Sequence, residues 1–276
     1  MPLFSIITVC YNEGLNIERT IKSVEQQKYH NFEYIIIDGK SVDQTISIIE
    51  SHKKLLEKKL NFILLSEQDE GIYNAMNKGI TLASGKWLLF LNAGDYFYDE
   101  YVLEKVSKYD CENIDIIYGD YISQIYNLYM YRKCLSLNEM KVHMPFCHQS
   151  VFILNSIIKN KKYNEIYRIA SDYDFFLSCY CEKKNFKYIE LPVSVFVLDG
   201  TSSDSVKLYK ETLDIRFKQG VLSKEDYYYL LSKLKRKRKI SKIKKQVKKI
   251  IPDIFVKNIR ILKYKKAGYK KEFPLN

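Results

Sequence analysis

The chain has 276 residues, which is long enough to bury one large core, and its 46% hydrophobic content excludes a disordered protein. None of the six cysteines forms a CxxC pair and no secretory signal opens the sequence, so we expect reduced thiols in a cytosolic protein. No apolar run approaches the ~20 residues that a membrane-spanning helix needs.

The net charge of +12 is unevenly distributed. Residues 233–271 alone carry +17, and the rest of the chain carries −5. Any argument from charge to a binding partner therefore concerns this basic tail and not the body of the protein.

The first hundred residues alternate between β-branched apolar runs and helical patterns. Strands are predicted at 4–10, 34–38, 61–65 and 87–91, and helices from about residue 16, over 45–58 and over 70–82. This alternation predicts a parallel, doubly wound α/β sheet with helices on both faces.

The second half is more mixed, and it shows no internal repeat. Helices are predicted at 101–109, at 170–181 and from 207, and strands at 114–118, 126–132, 151–154 and 186–198, with 126–132 at an edge. We divide the chain into a domain of residues 1–220, with halves at 1–100 and 101–220, and a helical tail of residues 221–276.

The stretch Leu88–Asp95 is the centre of the first half. Four apolar residues run without a break, as in a strand buried on both faces, and then a turn ends on the carboxylate of Asp95. Ligands of open parallel sheets bind beyond the carboxyl ends of the strands, where an acid can hold a divalent cation. Taken alone, Asn-Ala-Gly-Asp is better explained as a simple turn, and only the rest of the chain favours the site.

Other polar residues follow neighbouring strands. Asp38 and Asp43 follow the second strand, and Tyr11 and Asn12 follow the first. A flat aromatic ring, an amide and several carboxylates at one edge suit a nucleotide, with a metal at Asp95 meeting its diphosphate. The sequence has no GxGxxG and no GxxxxGK[ST], which disfavours a dinucleotide-binding Rossmann protein and a P-loop NTPase.

The ordered motifs resemble those of the family 2 glycosyltransferases of the GT-A fold. The motifs that carry the resemblance are Thr8-Val9-Cys10-Tyr11-Asn12, Asp38-Gly39-Lys40-Ser41-Val42-Asp43, Gly71, Asn77-Lys78-Gly79, Ala83-Ser84-Gly85 and Leu91-Asn92-Ala93-Gly94-Asp95. The resemblance covers about residues 3–205. Residues 67–79 are similar to a segment of the bacterial enzymes that build lipopolysaccharide, capsule or exopolysaccharide repeat units.

The resemblance implies a UDP-sugar as donor. The residues that it places in or around the donor pocket are Thr8, Tyr11, Asn12, Asp38, Ser41, Asp43, Asn77, Asn92, Ala93 and Gly94. Asp38 is expected to bind the base.

The segment 92–95 stands where the family usually has Asp-x-Asp-Asp. Asn92 and Gly94 replace the first and third carboxylates, which leaves Asp95 to hold Mg²⁺ or Mn²⁺. An Asn oxygen is an acceptable ligand for a hard cation but brings no charge.

The resemblance implies that Asp172 is the general base of an inverting transfer. Ser171 stands where the family has Glu, and Asp174 is the alternative base by sequence alone. The acceptor hydroxyl must lose its proton as it attacks, so the carboxylate must lie within ~3 Å of it. Without the resemblance, Asp172 is simply an acid favoured by the helix dipole.

Four further residues are candidate substrate contacts: His148, Gln149, Asp174 and Ser202. The His148-Gln149 pair resembles one that lies near the donor sugar or acceptor, although a lone histidine is often structural. The loop 199–203, which contains Ser202, matches one that closes over the diphosphate, or it simply begins a helix.

The tail has apolar residues at near-helical spacing and lysines on the other face. A basic amphipathic helix is typical of a membrane-surface element, so we expect residues 233–271 to bind anionic lipid. Packing on a partner subunit and nucleic-acid binding are the alternatives. The latter is disfavoured because no recognisable nucleic-acid module is present, and we expect no nucleic-acid partner.

These features predict an inverting hexosyltransferase that uses a UDP-sugar, Mg²⁺ or Mn²⁺ and a lipid-linked saccharide acceptor. We expect it in the cytoplasm, peripheral on the inner face of the membrane. A non-catalytic nucleotide-sugar-binding or scaffold protein is the alternative of another class. A nucleotidyltransferase is disfavoured, since no Gly-rich basic phosphate loop follows the first strand.

Overall fold

The computed structural model describes residues 1–198, 205–234, 261 and 263–274. The strands are β1 (Phe4–Cys10), β2 (Phe32–Asp38), β3 (Asn61–Ser66), β4 (Trp87–Phe90), β5 (Tyr96–Phe97), β6 (Ile116–Ile125), β7 (Leu128–Arg132), β8 (Val151–Leu154) and β9 (Phe186–Val197). The helices are α1 (Ile17–Glu25), α2 (Thr45–Lys59), α3 (Ile72–Leu82), α4 (Val102–Ser107), α5 (Asn155–Lys161), α6 (Ser171–Cys181) and α7 (Ser205–Lys218). Residues 224–234 are also helical.

The strands form one sheet in the order β3-β2-β1-β4-β8-β6-β9-β5, with β7 paired to β6. The first four strands are parallel, as predicted, and Cys10 pairs with Asp38 so that β1 and β2 end side by side. Ala93 continues this alignment beyond β4, because its N–H donates to the carbonyl of Val9 at 3.2 Å. The loops after β1, β2 and β4 therefore meet at one edge of the sheet.

The second half adds antiparallel pairs. β8 runs antiparallel to both β4 and β6, whereas β6 and β9 are parallel. Because β8 is antiparallel to β4, its amino end lies at the edge where β4 has its carboxyl end. The residues just before β8, His148–Ser150, are thereby brought to the same edge as the loop after β4.

Two apolar layers cover the two faces of the sheet. One layer packs α1, α2 and α4 against one face through residues such as Ile21, Ile49 and Val102. The other packs α3, α5, α6 and α7 against the opposite face, and the sheet is buried on both sides. Burial on both faces explains the continuous apolar runs of the first half.

The chain end returns to the domain. Residues 263–274 pack on the β6–β7 hairpin, where Tyr129 and Lys270 exchange backbone hydrogen bonds of 2.7 and 2.8 Å. Tyr269 is 5% exposed, and its hydroxyl lies 2.9 Å from the Ser123 hydroxyl. This end of the predicted tail is thus packed against the domain of residues 1–220. Residues 235–260, the centre of the predicted amphipathic helix, lie outside the described part.

β5 and α5 were not predicted. β5 has two residues and α5 has seven. Segments this short do not show the alternation of a strand or the 3.6-residue period of a helix in the sequence. β7 lies at an edge, as expected, because it pairs with β6 alone among the described strands. Across the residues with assigned structure, no helix combines the length and the apolar character that a membrane crossing requires.

Candidate active site

The loops after β1 and β2 are fastened to each other. Asn12 has φ 54°, in the left-handed region that Asn tolerates, and its N–H donates to Ser41 Oγ at 2.8 Å. In return, the N–H of Val42 donates to Asn12 Oδ1 at 2.9 Å. Tyr11 beside this junction is 59% exposed, so the site edge presents an aromatic ring on which a flat base can stack.

Asp38 lies at the end of β2 and is fully buried. Its Oδ2 accepts bonds from the Ser41 N–H at 2.9 Å and the Ser66 hydroxyl at 2.7 Å, and its Oδ1 accepts the Ser41 hydroxyl at 2.5 Å. The carboxylate thus shapes the loop after β2. If Asp38 binds the nucleobase, the N–H of that base would have to share or replace one of these hydrogen bonds.

Asp43 joins the same loop to the start of α2. Its Oδ1 accepts the N–H and hydroxyl of Thr45 at 2.9 and 2.5 Å, and its Oδ2 accepts the N–H of Gly14 at 3.0 Å. The bond from the Thr45 hydroxyl is the main cause that lowers the pKa of Asp43. Asp43 therefore holds the start of α2 and the loop after β1 together through hydrogen bonds.

Thr8 and Asn77 lie below the surface of the edge. Thr8 is fully buried, and its hydroxyl donates to the carbonyl of Leu91 at 2.7 Å, which ties β1 to the end of β4. The Asn77 amide binds the backbone of Tyr163 through both its oxygen and its nitrogen, at 2.9 Å each, and also donates to Glu165 at 2.7 Å. Both side chains are thus occupied by hydrogen bonds within the protein, which hold neighbouring segments together. Contact of either one with a donor stays a prediction.

Asp69 is a site residue that the sequence reasoning missed. A Cβ at Gly39 would collide with the Asp69 carboxylate and would lie 3.3 Å from the ring of Tyr11, so the three residues are close neighbours. Asp69 Oδ1 also accepts the N–H of Gly71 at 2.9 Å. The available signal was its place after a predicted parallel strand, the same signal that singled out Asp38.

The loop after β4 is held by α1. Gly94 has φ +99°, which favours glycine, and its N–H donates to Thr20 Oγ1 at 2.9 Å. The Thr20 hydroxyl in turn donates to the carbonyl of Asp95 at 2.6 Å. One threonine of α1 thereby fixes the two residues at the end of the motif.

Asp95 is 5% exposed, and its Oδ1 accepts the N–H of Val197 at 2.8 Å. Burial raises its pKa to about 7, although the Val197 bond, the charge of Arg19 and a hydrogen bond from the Gln149 side chain oppose the rise. The carboxylate therefore changes charge near neutral pH.

The residues around Asp95 fit a metal shared with a substrate. Asn92 Oδ1 is buried without a hydrogen-bond partner, so a second hard oxygen is available in the same motif. Among the described residues no group of three or more His, Cys, Asp or Glu could hold a metal by itself. Mg²⁺ is commonly held by one or two carboxylates together with substrate phosphates, which matches this set.

Arg19 is a second residue that the sequence reasoning missed. Its guanidinium lies 5.2 Å from the centroid of the Tyr96 ring, and its Nη2 is 3.8 Å from where a Cβ at Gly94 would stand. The positive charge of Arg19 therefore lies beside Gly94, a position where the resemblance places a carboxylate. No periodic or motif signal in α1 singled it out.

Asp172 is the second residue of α6, and its side chain is 23% exposed. Its Oδ1 lies 2.9 Å from the Tyr73 hydroxyl and accepts the N–H of Tyr173 at 2.9 Å, while its Oδ2 lies 4.0 Å from His148 Nδ1. The carboxylate is thus fixed from one side and open to solvent on the other.

His148 is buried behind Asp172. Its Nε2 is paired with the Tyr163 hydroxyl at 2.7 Å, and its ring packs against Phe90 with centroids 5.3 Å apart. Burial lowers the pKa of His148, and the charge of Asp172 opposes this only in part. The imidazole is therefore neutral at neutral pH.

His148 and Gln149 connect two parts of the site. Gln149 donates to Asp95, the acid after β4, while His148 lies next to Asp172, the acid at the start of α6. Both carboxylates also raise the pKa of the buried Cys147 thiol, after the larger effect of burial. The two acids therefore lie on either side of the same short segment, residues 147–149.

Asp174 points elsewhere. It is 9% exposed, and its Oδ1 accepts the side-chain amide of Gln219 at 3.0 Å, which joins α6 to the end of α7. Of the two acids at the start of α6, Asp172 is thus the one that contacts Tyr73 and His148. Ser202 and the rest of the loop 199–204 lie outside the described residues.

Comparisons with known proteins agree on the family. The family described as "Glycosyl transferase family 2" matches residues 5–176. A "PGL/p-HBAD biosynthesis glycosyltransferase" of Mycobacterium tuberculosis is 32% identical over 182 residues, which cover 65% of this chain and 70% of the relative. An uncharacterised glycosyltransferase of Haemophilus influenzae is 30% identical over 248 residues, which cover 84% of this chain and 95% of the relative.

Solved structures share the fold at low identity. Staphylococcus aureus TarS 1–349 in complex with UDP-GlcNAc aligns with a TM-score of 0.65 and 18% identity, over 79% of this chain and 66% of that chain. The mannosyltransferase PcManGT of Pyrobaculum calidifontis, in complex with GDP-Man and Mn²⁺, aligns at 0.57 and 14%, over 80% and 64%. The chain thus spans slightly less than two thirds of these solved chains.

These likenesses confirm the predicted GT-A fold. With more than half of its length matched by the family, the chain belongs to glycosyl transferase family 2.

Proposed function

We propose that the protein is an inverting hexosyltransferase that moves a sugar from a UDP-sugar to a lipid-linked saccharide acceptor in the synthesis of a bacterial surface polysaccharide. The observation that carries the proposal is the position of the two acids. Asp95 is hydrogen-bonded to Gln149 and Asp172 lies 4.0 Å from His148, so two adjacent residues connect the two acids. Inverting transfer needs positive charge at the leaving diphosphate, such as a metal ion held by a carboxylate, and a base at the acceptor.

Asp172 would take the proton of the acceptor hydroxyl as its oxygen attacks the anomeric carbon and the bond to UDP breaks. Its Oδ1 is engaged with Tyr73, and among the described residues its Oδ2 has no partner closer than His148 at 4.0 Å, which leaves that oxygen for the acceptor. A neutral imidazole with its proton on Nδ1 would support the negative carboxylate without neutralising it.

Asp95 and Asn92 would hold Mg²⁺ or Mn²⁺ together with the diphosphate. The cation would offset the negative charge that grows on the departing UDP. Arg19 adds a fixed positive charge beside the same loop, which would attract the negatively charged diphosphate directly.

The donor class is supported by several features. Tyr11, Asn12 and Asp38 frame a pocket edge with an aromatic ring, an amide and a carboxylate, and TarS, of the same fold, has been solved with UDP-GlcNAc. PcManGT holds GDP-Man and Mn²⁺ instead, so the nucleotide must be measured.

The acceptor and the location rest on sequence. The basic residues 233–271 suit an anionic membrane surface, where a lipid-linked saccharide would be presented. We therefore place the enzyme in the cytoplasm, peripheral on the inner face of the membrane, through a segment that lies largely outside the described residues.

The test combines calorimetry with product analysis. UDP is titrated into the wild type at about pH 8, with and without Mn²⁺, and a panel of UDP-sugars is then incubated with the protein and lipid-linked acceptors. The proposal predicts Mn²⁺-dependent UDP binding and a new glycoside. Asp95→Ala should abolish the metal-dependent part, whereas Asp110→Ala should not, because it changes an exposed acid beside the amino ends of β1 and β4.

Each other product points to another function. Binding of UDP-sugar without turnover would favour the nucleotide-sugar-binding or scaffold protein, and a new nucleotide sugar would favour a nucleotidyltransferase. Binding of GDP or dTDP in place of UDP would overturn the donor assignment and leave the reaction class intact.

A further inference from the structure

The helix that carries Asp172 starts without a cap of its own. The N-cap of α6 is Ala170, which has no side-chain hydrogen-bonding group. The first N–H groups of a helix have no partner within it, and a Ser, Thr, Asp or Asn usually provides one nearby. For the N–H of Ala170 and of the two residues before it, the partner comes from another helix.

Glu211 of α7 supplies it. Its Oε1 accepts the N–H of Arg168 at 3.1 Å, and its Oε2 accepts the N–H groups of Ile169 and Ala170 at 2.8 and 3.0 Å. The side chain is 9% exposed, so a buried carboxylate receives three consecutive backbone donors from a segment more than 40 positions earlier in the chain. Hydrogen bonds to an ionised acceptor are stronger than neutral ones, and the positive end of α6 favours the charge.

Residues 168–170, which Glu211 binds, also contact the residue that positions Asp172. The carbonyl of Ile169 accepts from the Tyr73 hydroxyl at 2.8 Å, and the same hydroxyl lies 2.9 Å from Asp172 Oδ1. Ala170 precedes α6 directly. Movement of residues 168–170 would therefore move both the carboxylate of Asp172 and the tyrosine beside it.

We propose that Glu211 is a positioning residue that sets the place of the Asp172 carboxylate for the attack of the acceptor. This role rests on the proposed function, because it assumes that Asp172 is the base. Glu211 does not touch the reacting atoms. Its effect passes through the backbone of residues 168–170.

The chain offers a matched control. Gln219 follows α7 directly and also connects it to α6, because its side-chain amide donates to Asp174 Oδ1 at 3.0 Å. It does not bind residues 168–170 through this bond. Gln219→Ala removes a contact between the same two helices and leaves the three N–H groups bound to Glu211. Any general loosening of the α6–α7 packing should therefore appear in both variants.

The test compares Glu211→Ala, Glu211→Gln and Gln219→Ala in the full chain, using the UDP-sugar and acceptor that the wild type turns over. We expect kcat to fall about 10- to 100-fold in Glu211→Ala, because a misplacement near 1 Å can cost that much. UDP affinity and the KM for the donor should stay unchanged. Glu211→Gln keeps one acceptor oxygen and should recover part of the rate.

Hydrogen exchange on the same variants adds a second measurement. The amides of residues 168–170 should exchange faster in Glu211→Ala than in Gln219→Ala, while the rest of α6 exchanges alike in both. If Glu211→Ala does not fold, the comparison of Glu211→Gln with Gln219→Ala decides in the same way.

The outcomes separate the two proposals. Turnover by the wild type, with equal kcat in the Glu211 and Gln219 variants, would overturn the role of Glu211 alone. A fall in UDP affinity that matches the fall in kcat would also overturn it, because it would indicate a general structural effect. No turnover by the wild type would overturn the proposed function and this role with it.

Discussion

The two acids Asp95 and Asp172 are held in different ways. Asp95 sits in a loop fastened to α1 and β9, and burial raises its pKa to about 7. Asp172 is partly exposed and is positioned by Tyr73, 99 residues earlier in the chain, and through the backbone by Glu211. Asp95 is thus buried and titrates near neutrality, while Asp172 is partly open to solvent and depends on distant parts of the chain.

This difference suggests that the two acids affect different steps. A change at the Asp95 side should act on the binding of metal and nucleotide, and a change at the Asp172 side should act on turnover. The substitutions below test that division, from the largest expected effect to the smallest.

Asp172→Asn should lower kcat by about 10²- to 10⁴-fold, since an amide cannot accept the proton of the acceptor hydroxyl. UDP affinity, measured by calorimetry, should not change. The matched variant Asp174→Asn alters an acid two residues away that faces Gln219, and it should keep most of the turnover. Equal losses in both variants would argue against Asp172 as the base.

Asp95 should make metal binding depend on pH. The folded protein holds this proton up to about pH 7, whereas the unmodified carboxyl loses it near 3.8. Because the metal needs the carboxylate, Mn²⁺-dependent UDP affinity should rise by up to about tenfold per pH unit below 7 and level off above it.

The same shift predicts the sign of a stability change. Since the folded state binds the proton more tightly than the unfolded chain, the contribution of Asp95 to the unfolding free energy falls as the pH rises from about 4 to 7. Asp95→Asn should remove both dependences. A wild-type affinity for UDP and Mn²⁺ that is flat across this range would contradict the burial of an ionisable Asp95.

Tyr163→Phe should remove the hydrogen bond to the buried Nε2 of His148 and lower the unfolding free energy by about 1–3 kcal/mol. Turnover should fall and UDP affinity should stay, since His148 lies on the Asp172 side. Tyr180→Phe is the control, because its hydroxyl makes an exposed bond of 3.2 Å to Asn138. Urea unfolding of the two variants measures the difference, and equal midpoints would show that the buried bond stabilises little.

Gly39→Ala should weaken UDP binding by about fivefold, or roughly 1 kcal/mol, because the new Cβ displaces the Asp69 carboxylate beside Tyr11. Stability should change little, since a side-chain end can move. In an Asp69→Ala background the same substitution should have no further effect on affinity. If it did, the collision with Asp69 would not be its cause.

The sequence was most informative where burial is continuous. The parallel half of the sheet was predictable because β1, β2 and β4 are apolar on both faces, and their carboxyl ends indicated the site edge through Asp38 and Asp95. The antiparallel placement of β8 was not predictable, because four apolar residues do not encode a direction. That placement is what brings His148 and Gln149 to the edge.

Contacts across long distances in the chain also escaped prediction. Arg19 and Glu211 are ordinary surface-type residues by pattern, and only the fold puts them beside Gly94 and Ala170. Asp69 follows a predicted strand, but its contact with Gly39 is visible only in the fold. For Thr8 and Asn77, the resemblance supplied the positions, but burial and hydrogen bonding define what each side chain contacts.

The most direct test of the account is a crystal structure with UDP and Mn²⁺, in which anomalous scattering locates the metal. The account predicts a Mn²⁺ peak at about 2.0–2.2 Å from an oxygen of Asp95, with Asn92 and the diphosphate beside it and Asp172 free of metal on the acceptor side. A peak bound by Asp172, or a diphosphate bound away from the loop after β4, would contradict the assignment of one acid to the donor and the other to the acceptor.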